Sequence, residues 1–201
     1  MAARTDTKKK ITEIGPRGGP GGRAWDDGNS YDGIREITVA HGHCIDSITV
    51  VYDKHGKASP AEKHGEDGAI GVPKPHVTTV KLQYPEEYLI SVMGYYGQHH
   101  GSVVIRALTF TSNRTTYGPF GMEEGEPFSL SVKGGTRIIG FKGKSGWYVD
   151  SITCYVAHLP PPKSCNAFQT FHKSLKKLAG TLRGEGDDHP IRKRNLASPK
   201  Y

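Results

Sequence analysis

Apolar and polar residues alternate over much of the chain with a period of about two. Ile34-Arg35-Glu36-Ile37-Thr38-Val39 and Ile45-Asp46-Ser47-Ile48-Thr49-Val50 are two such stretches. Successive side chains of a strand point to opposite faces, so each stretch predicts a strand with one buried face. Eight runs qualify: Ile34–Ala40, Ile45–Tyr52, Val77–Gln83, Tyr88–Tyr95, Val103–Thr111, Phe128–Val132, Arg137–Lys142 and Tyr148–Val156. They are rich in Val, Ile, Thr, Tyr and Phe, which suit a pleated surface. Clusters of Gly, Pro, Asn and Asp separate them. Gly15-Pro16-Arg17-Gly18-Gly19-Pro20-Gly21-Gly22 is predicted to be a loop. No helical period persists before residue 160. The expectation is an all-β domain over residues 11–158, long enough for a sizeable core.

The pattern changes at both ends. Residues 1–10 read as a disordered basic arm. Leu159-Pro160-Pro161-Pro162 ends the β domain, because three prolines cannot continue a sheet. Beyond them Phe168, Phe171, Leu175, Leu178 and Leu182 recur at helical spacing. This predicts one amphipathic helix over about 165–183 within a C-terminal region, 159–201, that ends in a disordered basic tail.

Charge refines the picture once it is located. The net charge of +7 hides a middle, 11–158, with 14 bases and 16 acids. The basic excess lies in the two ends. A nucleic-acid-binding domain carries its basic patch on the fold, so nucleic acid is not the expected partner. No apolar run is long enough to span a bilayer. Three cysteines without a C-x-x-C spacing argue against a disulfide scaffold and a cysteine zinc finger. Met1–Lys10 shows no apolar stretch behind its charges, which predicts no secretory signal. The expected location is cytoplasmic. Lys163, Lys176, Lys177 and Arg192-Lys193-Arg194 add a candidate nuclear signal.

The chain also repeats itself. Gly42-His43-Cys44-Ile45-Asp46-Ser47-Ile48-Thr49 and Gly146-Trp147-Tyr148-Val149-Asp150-Ser151-Ile152-Thr153 share one pattern, G-x-x-[IV]-D-S-I-T. A weaker copy runs from Ser102 to Phe110. There Ser102 replaces the Gly and Arg106 replaces the Asp. Three copies predict three related β-units about a pseudo-threefold axis. A Gly lets backbone N–H groups turn toward one point, and an Asp four residues on adds a carboxylate. Donors beside a charged acceptor suit a hydroxyl-rich ligand, and Trp147 or Tyr148 could cover its apolar face. Turn capping by the Asp is the competing explanation. The third copy has lost both features and is not expected to bind.

Other chemistries are poorly marked. His41-Gly42-His43 with Cys44 and Asp46, and His99-His100, lack a third converging position for a metal. Glu86-Glu87 and Glu123-Glu124 diverge on a strand, and no G-x-S-x-G occurs. Neither a metal, another cofactor nor a catalytic set is therefore expected.

Several segments, taken in order, resemble the jacalin-related lectins. Gly18-Gly19-Pro20-Gly21-Gly22-Arg23-Ala24-Trp25-Asp26-Asp27-Gly28 is similar to the family's glycine loop. Phe110-Thr111-Ser112-Asn113-Arg114-Thr115-Thr116-Tyr117-Gly118-Pro119-Phe120-Gly121 resembles its central stretch. Gly134-Gly135-Thr136-Arg137-Ile138-Ile139-Gly140-Phe141-Lys142-Gly143 leads into the G-x-x-x-D loop as in that family. The resemblance covers about residues 11–158 and is strongest to the mannose-specific branch. It implies a β-prism of three four-stranded antiparallel sheets and a non-enzymatic lectin for mannose- or glucose-containing glycans.

It also implies a first sugar site. Gly22, Trp147 and Tyr148 would offer backbone N–H groups, Gly146 would open the loop, and Asp150 would accept from the 4- and 6-hydroxyls. The galactose-specific branch is cleaved to free a glycine terminus, whereas here the glycine loop continues from upstream residues. A second site would use Gly42, His43, Cys44 and Asp46, with Ala69 where two-site relatives have Gly. A homodimer is the expected assembly. The alternative function is a scaffold or interaction module acting through the C-terminal helix, and a galactose-specific lectin is a lesser one. For that helix, packing on the prism is preferred to membrane contact.

Overall fold

A computed structural model describes residues 10–67 and 74–158. The expected basic arm of residues 1–9, Ala69, and the expected linker, helix and tail of 159–201 lie outside the described residues. Thirteen strands follow in order: β1 (Ile11–Gly18), β2 (Arg23–Asp26), β3 (Gly33–His41), β4 (Ile45–Lys54), β5 (Lys57–Pro60), β6 (His64–Gly65), β7 (His76–Lys81), β8 (Leu89–His99), β9 (Ser102–Ser112), β10 (Thr116–Gly121), β11 (Glu126–Ser131), β12 (Thr136–Ser145) and β13 (Val149–His158). All eight expected runs are strands.

The strands form three antiparallel sheets, with orders β1-β13-β12-β2, β5-β4-β3-β7 and β10-β9-β8-β11. The two-residue β6 pairs β4 on the same edge as β5, so the middle sheet is also four strands across. Each sheet centres on a long hairpin: β12–β13, β3–β4 and β8–β9. Their inner faces meet in one core. Ile37, Ile48, Leu108, Phe110, Ile138 and Phe141 are fully buried in it, two from each sheet. The described chain is the expected β-prism.

The glycine stretch corrects one expectation. Gly15–Gly18 is not loop but the end of β1, paired to β13 through Arg17↔Ile152 and Gly18↔Ser151. The physical reason is the edge position. Pro16 sits where the register shifts between Ile14 and Arg17, so its missing N–H breaks no ladder bond. Only Gly19–Gly22 forms the loop itself.

Backbone contacts confirm the threefold repeat. Gly18, Gly65 and Gly121 all have positive φ. A Cβ on each would collide with one carbonyl oxygen: that of Asp150, Asp46 and Arg106 respectively. Each sheet thus has a glycine laid over the residue that the sequence repeat aligns.

Candidate functional site

The three central hairpins are equivalent at their bases and differ at their tips. The bases pair Ser145 with Val149, His41 with Ile45 and Tyr96 with Ile105. Three residues separate the first pair, Gly146–Tyr148, and three separate the second, Gly42–Cys44. Both short tips adopt the same turn. Gly146 N–H donates to the Tyr148 carbonyl at 3.0 Å, and Gly42 N–H to that of Cys44 at 3.0 Å. Eight residues, 97–104, separate the third pair. Its tip ends in His100-Gly101, both with positive φ, a primed turn joining β8 to β9. Gly97, not Ser102, therefore holds the place of Gly146. The close approach of Gly97 to Gly125 matches that of Gly146 to Gly22. The inserted residues displaced this glycine in the sequence comparison.

A cleft of about 390 Å³ opens at the first hairpin. It is lined by Gly21, Gly22, Gly146, Trp147, Tyr148 and Asp150, and by His99, His100, Ser102 and Val104. The structure thus brings together all five residues expected for the first site. Asp150 is only 5% exposed and forms the buried wall. Its carboxylate nests against the glycine loop. A Cβ at Gly21 would lie 2.6 Å from Oδ1, and one at Gly22 would collide with Oδ2. The loop is held there by Gly19 N–H donating to the Asp150 carbonyl at 2.8 Å. Trp147 is 62% exposed at the rim. The Tyr148 ring meets His99 edge-on, with centroids 5.0 Å apart.

Burial pushes the Asp150 carboxyl above its ordinary range, while the Gly146 amide and the Lys144 ammonium pull it down. An ionised carboxylate buried here without a metal or strong ion pair is a costly acceptor. It gains when a ligand brings hydroxyl donors. Flanking backbone amides and an exposed indole complete a cleft suited to a small, hydroxyl-rich molecule. Among the described residues no group of His, Cys, Asp and Glu could hold a metal ion.

The second loop has the same frame with different surroundings. Asp46 is 7% exposed and Cys44 fully buried, while Gly42 and His43 face solvent. Burial raises the Asp46 carboxyl to about 6, with Asp67 adding to the rise and His43 opposing it. Asp67 is held by Lys63 at 2.9 Å. His64, in β6, contacts Asp27 at 2.6 Å and stacks on Trp25 at 3.8 Å. The structure gathers Gly42, His43, Cys44 and Asp46 as expected; Ala69 is not among the described residues.

The residues missed from sequence are the other cleft-lining ones: His99, His100, Ser102 and Val104. The pair His99-His100 has no metal-ligand spacing, and nothing in the sequence alone marks it as cleft lining. The usable signal was the turn His100-Gly101 between two strong strands, which marks a longer hairpin beside two short ones.

Known proteins are similar to this chain in sequence and in fold. The sequence pattern of the jacalin-like lectin domain matches residues 14–155. Jacalin-related lectin 19 of Arabidopsis thaliana is 51% identical over 167 residues, covering 82% of this chain and 89% of that protein. The mannose-specific jacalin-related lectin from Morus nigra, solved in complex with mannose, shares 42% identity at a TM-score of 0.67. That match covers 77% of this chain and 99% of the other. A galactose-specific lectin from Morus indica is 41% identical over 138 residues, covering 68% and 84% of the two chains. The chain belongs to the jacalin-related lectins, a family of non-catalytic carbohydrate-binding proteins.

Proposed function

We propose that the protein binds mannose- and glucose-type glycans reversibly in the cleft between the glycine loop and the first hairpin. The observation that carries this reading is the Asp150 carboxylate, buried at the cleft wall against the backbone of Gly21 and Gly22. In the proposed complex Asp150 accepts from the 4- and 6-hydroxyls. The amides of Gly22, Trp147 and Tyr148 donate to the sugar, and Gly146 gives the turn its close approach to the glycine loop. An equatorial 4-hydroxyl, shared by mannose and glucose, is the position Asp150 reads.

One observation supports mannose over galactose. The glycine loop continues from β1, whose pairing to β13 starts at Ile11↔Ala157, so in the uncleaved chain Gly22 offers an amide rather than an ammonium. The Gly42-His43-Cys44-Asp46 loop is proposed as a second, weaker site. There Asp46 starts from a higher pKa and a neighbouring carboxylate, Asp67, opposes its ionisation.

The magnitudes set the expected strength. Some six hydrogen bonds of about 1 kcal/mol net each are partly offset by immobilising the sugar. A monosaccharide should bind with Kd of about 1 mM. Higher avidity then needs several sites or several chains. Calorimetric titration with methyl α-mannoside and methyl α-galactoside tests the reading. Heat with the mannoside alone supports it; heat with the galactoside alone replaces it by the galactose-specific alternative.

A further inference from the structure

The third hairpin carries an arginine where the other two carry the candidate ligand aspartates. Arg106 is 9% exposed, and each of its three guanidinium nitrogens donates a hydrogen bond. Nε donates to the His43 carbonyl at 2.9 Å, Nη1 to the Gln98 carbonyl at 2.9 Å, and Nη2 to Glu124 Oε2 at 2.6 Å. These acceptors lie on three separate segments. His43 is in the tip of the second hairpin. Gln98 begins the inserted stretch that ends in His99 and His100, which line the first cleft. Glu124 lies in the loop after β10, the counterpart of the glycine loop.

Gln98 and Glu124 belong to the same unit as Arg106, and the bond to the His43 carbonyl reaches out of it into the second unit. The planar fork of a guanidinium fixes three acceptors in one geometry, which an ammonium cannot do. We infer that Arg106 is a positioning residue for both candidate sugar sites, clamping the wall of the first cleft and the tip of the second loop from the pseudo-equivalent third position. This inference rests on the sugar-binding reading above.

The clamp explains why the longer hairpin holds its shape. His99 is set against the Tyr148 ring, and His100 packs edge-on against His99 at 4.3 Å. His43 contacts Met122 Sδ at 3.0 Å, so the second tip is also seated on the third unit. His99 itself reports the arrangement. Its pKa is lowered first by burial, then by His100, Arg106 and His43. The Tyr148 phenol is the remaining titratable group against that ring. Loss of the guanidinium removes one depressing charge and loosens the burial.

The test uses the full chain as wild type, Arg106→Gln and Arg106→Lys. Two quantities are read: the affinity for α-linked mannobiose by calorimetry, and the titration of the His99 ring by NMR. In Arg106→Gln the affinity should fall by about tenfold, the effect expected of a residue coupled through one hydrogen-bond network. The His99 pKa should rise toward its ordinary value. Arg106→Lys should keep most of the His99 depression by its charge, but recover only part of the affinity. A merely structural role would lower Tm in both variants and leave the affinity of the folded protein unchanged, and that result overturns the inference. If Arg106→Gln does not fold, Arg106→Lys decides alone: wild-type affinity counts against positioning. If wild type binds no mannoside, the sugar reading fails instead, while an unchanged His99 titration would still count against the clamp.

Discussion

Asp150 and Arg106 stand at one position of two copies of the same backbone frame. Both lie on a central strand just after a hairpin, and both carbonyls are covered by a positive-φ glycine, Gly18 or Gly121. Both loops that follow end in a second close-packed glycine, Gly22 or Gly125. Yet one side chain faces a cleft and the other is consumed internally. The aspartate is a buried charge with little protein to neutralise it. The arginine holds an ion pair with Glu124 and two carbonyls. The frame therefore sets where a site can lie, and one side chain together with the hairpin length decides whether it is open. The third unit's added residues, His99, His100 and Ser102, line the cleft of the first unit.

The sharpest way to break this comparison is to remove the side chain that distinguishes the open unit. Asp150→Ala should weaken mannoside binding by about 30-fold or more, since hydrogen bonds to a charged acceptor are worth about 1.5–3 kcal/mol. Its thermal stability should hold or rise, because a costly buried charge has gone. Binding isotherms and melting curves on the same preparation check both. The matching change in the second loop, Asp46→Ala, should lower the number of sugars per chain and leave first-site affinity alone.

The frame itself can be tested where the units are alike. Gly18→Ala and Gly121→Ala each place a Cβ against a carbonyl oxygen at positive φ. Each should cost about 2 kcal/mol of stability, the scale of a strained backbone position. Chemical denaturation should give similar losses for the two, whereas calorimetry should show reduced first-site affinity for Gly18→Ala especially. Unequal destabilisation would break the equivalence.

Acid should separate the two open loops. A sugar hydroxyl needs an ionised acceptor, so binding is lost as pH falls through the carboxyl's pKa. For Asp46 that is about 6, so second-site binding should be halved near there. Asp150 is also raised, and first-site affinity should likewise decline on acidification. The sign for folding is the opposite. A carboxyl whose folded pKa lies above its unfolded one binds protons more tightly in the fold, so its contribution to stability grows as pH drops. Affinity and Tm measured from pH 7.5 to 5 should therefore move in contrary directions where these groups dominate. The smallest effect belongs to the rim. Trp147 is mostly exposed, and Trp147→Ala should weaken binding about threefold through lost stacking.

Much of this frame was legible in the sequence, and the rest was hidden for identifiable reasons. The eight long runs carry enough buried positions to alternate visibly, as β3 and β4 do with Ile37, Val39, Ile48 and Val50. The strands β1, β2, β5 and β10 lie at sheet edges, and most of their residues are intermediate or exposed. They have little alternation to show. β6 is too short for any period. For the site, the near-identical repeats at 42–49 and 146–153 marked Asp46 and Asp150 directly. The inserted turn at 97–101 shifted Gly97 out of register, which concealed both the true third glycine and the wall it supports. Arg106 was visible as a departure from the pattern, but its bond to the His43 carbonyl spans 63 residues, which no spacing rule reveals.

The most direct test of the central claim is a paired calorimetric titration of wild type and Asp150→Ala with methyl α-mannoside, with methyl α-galactoside as the control. Wild type should bind the mannoside at millimolar strength, the variant should lose nearly all of that binding at the first site, and the galactoside should give no comparable heat. Wild-type binding by a folded Asp150→Ala variant would contradict it.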